Sequence, residues 1–233
     1  MSTTFSRVPD DAQLTGRVHA ALKDAIVSGR VPPNARLVQE RIASEMGVSR
    51  TPVREALHLL EREGLVQLIP RRGAIVHSLT FADVRDLYEM RLALEPFATE
   101  RGCERASDAQ RAKVERLAAA TGRVRDARAA FAVNRDFHHA LCAPAGNAML
   151  MRALAAMWTQ HGAPRLFAYQ AMPGGALAGM GDEHLAIAHA YSRGDARIAR
   201  ALVNDHIAAA GEDVIARLAE MRDDESHERG LID

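Results

Sequence analysis

The chain has 233 residues, 48% of them apolar, which is enough for one large globular domain or two modest ones. The first residues, MSTTFSRVPDD, contain no apolar signal segment, and no stretch approaches the roughly 18 uncharged apolar residues of a membrane helix. We therefore expect a cytoplasmic protein. The formal net charge is zero, but residues 1–76 hold 11 basic and 8 acidic side chains, as in a nucleic-acid-binding module joined to an acidic domain.

The first 76 residues alternate helical patterns with short breaks. Apolar residues recur at helical spacing over residues 14–28, and a second helical pattern, VQERIASEM, ends at a glycine. A third helix is predicted to begin after Ser49, a favoured N-cap residue, with Pro52 in its first turn. Two short helices joined by a glycine turn are typical of a helix-turn-helix. The segments LVQLIP and AIV predict two strands around the basic turn RRG, so residues 10–76 are predicted to form a winged helix-turn-helix.

The positions on these elements predict which side chains meet DNA. The first turns of the third helix, the part that enters a major groove, hold Ser49, Arg50, Thr51 and Arg54. An arginine there can pair with a guanine edge, whereas Arg71 and Arg72 on the wing can reach phosphate or a minor groove. Taken singly, Arg50 and Arg54 fit an ordinary solvated face equally well, but the ordered set of elements favours DNA binding.

The motif GVSRTPVREAL, followed by LEREGLV and PRRGAIV, resembles the DNA-binding domain of GntR-type bacterial transcription regulators. The resemblance covers about residues 10–76. It implies that the recognition-helix side chains named above contact operator DNA and that Gly73 is the glycine of the wing. Many members have a base-contacting arginine near the start of the preceding helix, where this sequence has Glu40 or Arg41.

From residue 80 onward, only helical patterns are predicted. Thr80, with Asp83 three residues later, predicts the first helix start. The predicted helical runs are 80–104, 107–120, 123–142, 147–160, 182–193 and 195–221, and a short helical piece around 164–170 is compatible with the pattern. The prediction is a mainly α protein in which the winged helix-turn-helix is followed by an all-α helical bundle over residues 80–221.

Two segments of this second domain lack a clear helical pattern. The glycine-rich stretch 173–181 does not have the Lys-Ser/Thr of a phosphate loop and is interpreted as a flexible connector. Residues 222–233 are predicted to be a disordered tail.

The two cysteines, Cys103 and Cys142, have no metal-type spacing and are predicted to be buried, reduced thiols.

The segment NRDFHHAL places polar side chains on both faces of a predicted helix. Asn134 and His138 share a stripe with apolar residues such as Phe131 and Leu141, so they are predicted to face the core. Arg128, Arg135 and His139 fall on another face, where His139 is predicted to be solvated. A buried polar pair without a partner costs roughly 1 to 3 kcal/mol, so something must satisfy Asn134 and His138.

Two later helices also place a polar side chain on an apolar stripe. His184 shares a face with apolar residues of its helix, and His206 lies one turn after Leu202. For any one of these histidines, a core side chain bonded to a backbone carbonyl is the simpler interpretation, but the set favours a transition metal held in a bundle core. The other histidines considered, which show no such pattern, are His161, His189 and His227.

The pattern N-x-x-F-H-x-x-L, with GN at 146–147, EH at 183–184, GDA at 194–196 and His206, resembles the helical FCD effector-binding domain of the FadR-like branch of the GntR family. The resemblance spans most of residues 80–221. It implies a metal with the ligands Asn134, His138, His184 and His206, and the clustered imidazoles favour zinc or nickel as the divalent ion. It also implies a small organic acid as effector and a homodimer that binds operator DNA.

Arg91 on the first helix of this domain has two interpretations. It can contact the carboxylate of an effector, or it can form a plain intrahelical pair with Glu95.

Two other functions remain open for the whole chain. One is a metal sensor, in which the ion is the signal. The other is a metal-dependent enzyme, for which Glu183 is a weak general-base candidate.

Overall fold

The structure is a computed structural model that describes residues 11–70, 72–78, 80–124, 127–159 and 177–230. The chain divides into two compact units, and the second unit begins at Thr80. The described part is mainly α, with one small sheet in the first unit. The predicted fold class is confirmed.

The first unit is a winged helix-turn-helix. Its elements are α1 (Asp11–Val27), β1 (Arg36–Leu37), α2 (Gln39–Met46), α3 (Arg50–Arg62), β2 (Val66–Ile69) and β3 (Gly73–Val76). The helix α3 begins at the predicted position: Ser49 has extended N-cap dihedrals and Pro52 lies in the first turn. The core of the unit is built from one face of α3, which contributes Val53, Ala56, Leu57 and Leu60, and from Val18, Leu22 and Ile26 of α1.

The sheet has three antiparallel strands in the order β1-β3-β2, one more than the sequence predicted. The strand β1 was missed because it has two residues, too few for an alternating pattern. It pairs with β3, placing Leu37 opposite Ala74. Gly73 has a φ of +95°, and a Cβ there would lie 1.9 Å from the carbonyl oxygen of Leu37. Only glycine fits at this position, so its place in the wing has a backbone explanation.

The second unit is a bundle of helices. The described elements are α4 (Phe81–Arg105), α5 (Asp108–Thr121), α6 (Ala127–Cys142), a 3₁₀ turn (Ala143–Ala145), α7 (Ala148–Thr159), α8 (Leu177–Ser192) and α9 (Ala196–Gly230). The predicted capping pair is present, since Thr80 accepts a hydrogen bond from the Asp83 backbone and the Asp83 side chain accepts one in return. The helices α4 and α9 pack against each other, as do α5 and α8.

The helix α8 begins five residues earlier than predicted, at Leu177. Part of the stretch interpreted as a flexible connector, Leu177–Gly181, is therefore helical. Gly181 lies against Gly122, and a Cβ on Gly181 would be 3.0 Å from the Gly122 Cα. A helix crossing this close requires glycine, which a local reading of the sequence treats as a helix breaker. Residues 173–176 and the predicted piece at 164–170 lie outside the described residues.

The last helix is longer than predicted. The tail from residue 222 was predicted to be disordered, but α9 continues to Gly230. The segment 222–229 contains neither proline nor glycine, so nothing in it stops a helix that has already formed.

Candidate metal centre and nucleic-acid interface

Three buried histidines from three helices meet inside the second unit. His138 lies on α6, His184 on α8 and His206 on α9, and one ring nitrogen from each lies within 4.8 Å of the others. The Nε2 atoms of His184 and His206 are 3.4 Å apart. The rings are at most 6% exposed. The structure thus brings together the three histidines that the sequence singled out.

Each histidine has a polar partner at its other ring nitrogen. Nδ1 of His138 lies 2.6 Å from Oε2 of Glu95, and Nδ1 of His206 lies 2.6 Å from Oε2 of Glu183. Nδ1 of His184 lies 3.0 Å from Oγ1 of Thr121. The contact of His138 with Glu95 has an ion-pair distance without hydrogen-bond geometry, since neither atom has a hydrogen-bond partner among the described residues. An acceptor close to Nδ1 favours the proton on that atom and leaves a lone pair on Nε2. The three rings are thus placed to act as metal ligands.

Burial keeps two of these rings, His138 and His184, neutral. It lowers the pKa of His138 from 6.5 to about 4, although the neighbouring Glu95 carboxylate acts in the opposite direction. Burial, reinforced by the charges that His206 and His138 can carry, also lowers the pKa of His184 well below its usual value. Near pH 7 both imidazoles therefore lack the positive charge that would repel a cation.

Asn134 lies one helical turn before His138 on α6 and is 3% exposed. Among the residues that the structure describes, neither its Oδ1 atom nor Nε2 of His138 has a hydrogen-bond partner. Leaving a buried acceptor unsatisfied costs about 1 to 3 kcal/mol. The Oδ1 atom of Asn134 and the Nε2 atom of His138 are thus two acceptors available to a bound cation. His139, the next residue on the helix, is exposed as predicted.

Arg91 forms the intrahelical pair that was one of its two interpretations. Its Nε donates to Oε1 of Glu95 at 2.7 Å, and both side chains are buried. The guanidinium also lies over the ring of Trp158 at 4.5 Å and over that of Tyr88 at 5.2 Å. Its Nη2 atom has no hydrogen-bond partner within the described ranges. The role of Arg91 toward an effector stays a prediction.

Glu95 connects Arg91 with the histidine cluster, a role that the sequence analysis did not assign. One carboxylate oxygen contacts Arg91 and the other contacts His138. Burial alone raises the pKa of this carboxyl, but Arg91 and His138 outweigh that effect and lower it to about 2. The i,i+4 spacing of Arg91 and Glu95 was visible in the sequence, whereas the contact with His138 depends on how α4 and α6 pack.

A cavity of about 320 Å³ lies beside His138. Its walls come from α4, α6 and α7, and its lining residues include Glu95, Cys142, Leu154 and Trp158. The volume is at the lower end of the range for small-molecule sites.

Both cysteines are buried and unpaired as predicted. Burial raises the pKa of the Cys142 thiol far above its usual value, so the thiol stays protonated.

The four predicted recognition residues lie on one exposed end of α3: Ser49, Arg50, Thr51 and Arg54. Nη1 of Arg50 bonds to Oε1 of Glu40 at 2.9 Å, and Nε of Arg41 bonds to Oε1 of Glu45 at 2.7 Å. These pairs are solvent-exposed, so breaking either of them costs little. Arg72 lies in the turn between β2 and β3, whereas Arg71 lies outside the described residues.

A winged helix-turn-helix followed by a helical domain defines the class of two-domain transcription regulators. Comparison with known proteins gives the family. The model for bacterial regulatory proteins of the gntR family matches residues 14–76, and the FCD domain model matches residues 86–209. The chain belongs to the GntR family of bacterial transcriptional regulators, with an FCD domain as its second domain.

Comparison with individual relatives also indicates a transcriptional regulator. The HTH-type transcriptional regulator BphR of Paraburkholderia xenovorans is 33% identical over 195 residues, which are 80% of this chain and 79% of that protein. Several other curated relatives match over 79 to 95 residues, and the match spans only 35% to 56% of their own length. These relatives are named as regulators rather than enzymes, so the enzyme alternative is set aside.

Two solved structures have the same fold. A GntR transcriptional regulator from Rhodococcus sp. RHA1 is 25% identical, with a TM-score of 0.70 over 88% of this chain and 98% of that one. The metal-free FCD domain of another regulator is 15% identical, with a TM-score of 0.50 over 61% of this chain and 99% of that one, and this likeness shows the fold alone. No helix in the described part of this chain is long and apolar enough to cross a membrane.

Proposed function

We propose that this regulator binds operator DNA as a homodimer and responds to a small organic acid held at a metal centre in its FCD domain. The ion is zinc or nickel, and its protein ligands are Asn134, His138, His184 and His206. The observation that carries the proposal is the convergence of three buried histidines on the inner faces of their helices, together with a buried amide oxygen of Asn134 that has no partner among the described residues.

The donor set fits a divalent transition ion. With the protons held on Nδ1, the Nε2 lone pairs of His184 and His206 face each other at 3.4 Å, an arrangement that is repulsive unless a cation lies between them. Imidazole nitrogen suits zinc and nickel, whereas magnesium and calcium prefer oxygen ligands. Carboxylates at Nδ1 of His138 and His206 increase the basicity of these ligands.

The charge of the centre favours an acid as effector. None of the four proposed ligands is a carboxylate, so the nearest negative charges are those of Glu95 and Glu183 behind the histidines, and a bound ion would leave open positions for an anion. Arg91 offers an Nη2 donor that has no hydrogen-bond partner within the described ranges. The cavity beside His138 has room for a small molecule. His138, His184 and His206 would hold the ion, and Arg91 would donate a charge-assisted hydrogen bond to the carboxylate of the acid.

A metal sensor is the second candidate. Asn134 supplies a neutral amide oxygen, which is a weaker ligand than a carboxylate and favours an exchangeable ion. Metal content after dialysis separates the two functions. An ion that survives dialysis supports a resident cofactor, and an ion that is lost and alters operator binding when it returns supports a sensor.

The DNA-binding function is assigned to the exposed end of α3 and to the wing. We propose that Ser49, Arg50, Thr51 and Arg54 contact bases and nearby phosphates, and that Arg71, Arg72 and the Gly73 turn contact the DNA backbone. A homodimer matches the two-fold symmetry of an inverted repeat. Such a repressor or activator acts in the cytoplasm, where the operator is.

A thermal-shift screen tests the effector. Protein loaded with zinc or nickel is screened against small mono-, di- and tricarboxylic acids. A true effector raises the melting temperature in a concentration-dependent way because it binds the native state. The same acid should have a much smaller effect on the metal-free protein and on Arg91→Lys. Equal stabilisation with and without metal would contradict a metal-bound acid.

A further inference from the structure

His184 differs from the other two histidines of the cluster in the group that holds its Nδ1 atom. His138 and His206 have carboxylates at this position, whereas His184 has the neutral hydroxyl of Thr121 at 3.0 Å. His184 is fully buried, and its ring stacks on Phe137 at a centroid distance of 4.0 Å. The hydroxyl of Thr121 is therefore the polar contact of Nδ1, while Nε2 faces Nε2 of His206 at 3.4 Å.

A second contact offers an acceptor for the Thr121 hydroxyl proton. Its Oγ1 donates to the carbonyl oxygen of Leu117 at 3.1 Å, a bond within the last turn of α5. When the single hydroxyl proton is used in that bond, Oγ1 is left to accept from Nδ1–H of His184. Nε2 of His184 then presents a lone pair toward His206.

The backbone brings Thr121 to this place. Thr121 is the last residue of α5, and Gly122 follows it. Gly122 lies against Gly181, which precedes His184 by three residues on α8. Because neither glycine has a side chain, the end of α5 approaches α8 closely enough for the hydroxyl to reach the imidazole.

We propose that Thr121 is a positioning residue of the metal centre, which fixes His184 as the Nδ1–H tautomer and aims its Nε2 lone pair at the ion. The part that concerns the ion rests on the proposed function. The tautomer itself does not, since the hydrogen bonds to Leu117 and His184 need no metal.

The first test is the tautomer of His184 in metal-free protein. Two-dimensional NMR of ¹⁵N-labelled histidine distinguishes a protonated Nδ1 from a protonated Nε2, and His184→Gln assigns the signals. We expect the Nδ1–H form in the wild type and in Thr121→Ser, and a shift toward the Nε2–H form in Thr121→Val. An Nε2–H tautomer in the wild type overturns the proposal without any variant at position 121.

The second test is metal affinity, measured by competition with a chromophoric zinc chelator. Thr121→Val, which keeps the shape but loses the hydroxyl, should bind zinc about 10- to 100-fold more weakly, as expected for loss of a group that orients a ligand. Thr121→Ser should stay within a few-fold of the wild type. The matched control is Thr99→Val, a buried threonine of α4 whose hydroxyl faces the Cys142 thiol instead.

The two tests separate the possible failures. Wild-type affinity and tautomer in Thr121→Val overturn the positioning role. If the wild type binds no metal but the valine variant changes the tautomer, the proposed metal function fails and the role of Thr121 in fixing the ring stands.

Discussion

Glu95 illustrates how one buried side chain links two parts of the site. It is 1% exposed, and its two oxygens contact Arg91 and His138, so its negative charge is balanced by the guanidinium on the same helix. The pair holds His138 in orientation and keeps the guanidinium near Trp158. Removing either member leaves an uncompensated buried charge.

We predict that Glu95→Gln lowers the free energy of unfolding by about 3 to 5 kcal/mol, the range for breaking one side of a buried ion pair. Urea denaturation of the metal-free protein measures this change. Glu183→Gln is the matched control, since Glu183 also contacts a histidine Nδ1 but is half exposed, and its effect on stability should be much smaller. Equal losses in both variants would contradict the assigned role of Arg91 and Glu95.

The stability of the metal-free protein should depend on pH. The pKa of His138 falls from 6.5 in the unfolded chain to about 4 in the fold, so the unfolded state binds more protons between these values. The contribution of His138 to stability is therefore fully present above pH 6.5 and is lost as the pH falls toward 4. Denaturation in EDTA at several pH values checks this. His138→Gln should reduce the slope, leaving the part that His184 contributes, while the exposed His139→Gln keeps the full slope. A flat wild-type profile would refute the shift.

Asn134 offers a test of the fourth ligand. We predict that Asn134→Asp binds zinc more tightly than the wild type, because a carboxylate adds a negative charge next to the ion. The chelator competition measures the change, and the metal-free protein should become less stable because the new charge is buried without a partner. If zinc affinity does not change, the residue at position 134 is not a ligand.

At the scale of elements, local sequence signals predicted the helices that have their own start and stop residues. Ser49 and Pro52 marked the start of α3, and Thr80 with Asp83 marked that of α4. The strand β1 and the start of α8 were missed because both depend on tertiary contacts. The first needs the pairing with β3, and the second needs the close contact of Gly181 with Gly122.

The recognition helix carries its own prediction. Arg54→Ala should weaken binding to an operator selected by the wild-type protein from random DNA, by about 1 to 3 kcal/mol if the arginine pairs with a guanine. Fluorescence anisotropy with labelled duplexes measures this loss. Arg62→Ala, at the far exposed end of the same helix, should lose much less. A uniform loss on specific and random DNA would mean that Arg54 contacts phosphate rather than a base.

At the scale of the whole molecule, the sequence identified the three histidines because each interrupts an apolar stripe of its own helix. It could not show that Glu95, Thr121 and Glu183 hold their Nδ1 atoms, since these contacts join residues up to 63 positions apart. The histidine stripes are local, and the orienting partners depend on the packing of the bundle. Both domains together identify the family of the chain. Only the residues around the histidine cluster determine which effector it binds.

We propose above all that the FCD domain holds one divalent ion through its histidines. Metal content per chain, measured by plasma mass spectrometry after loading with zinc or nickel and removal of free ion, tests it most directly. We predict about one ion per chain in the wild type and in His139→Ala, and almost none in His184→Ala or His206→Ala. A full complement of metal in both of these last variants would contradict the account.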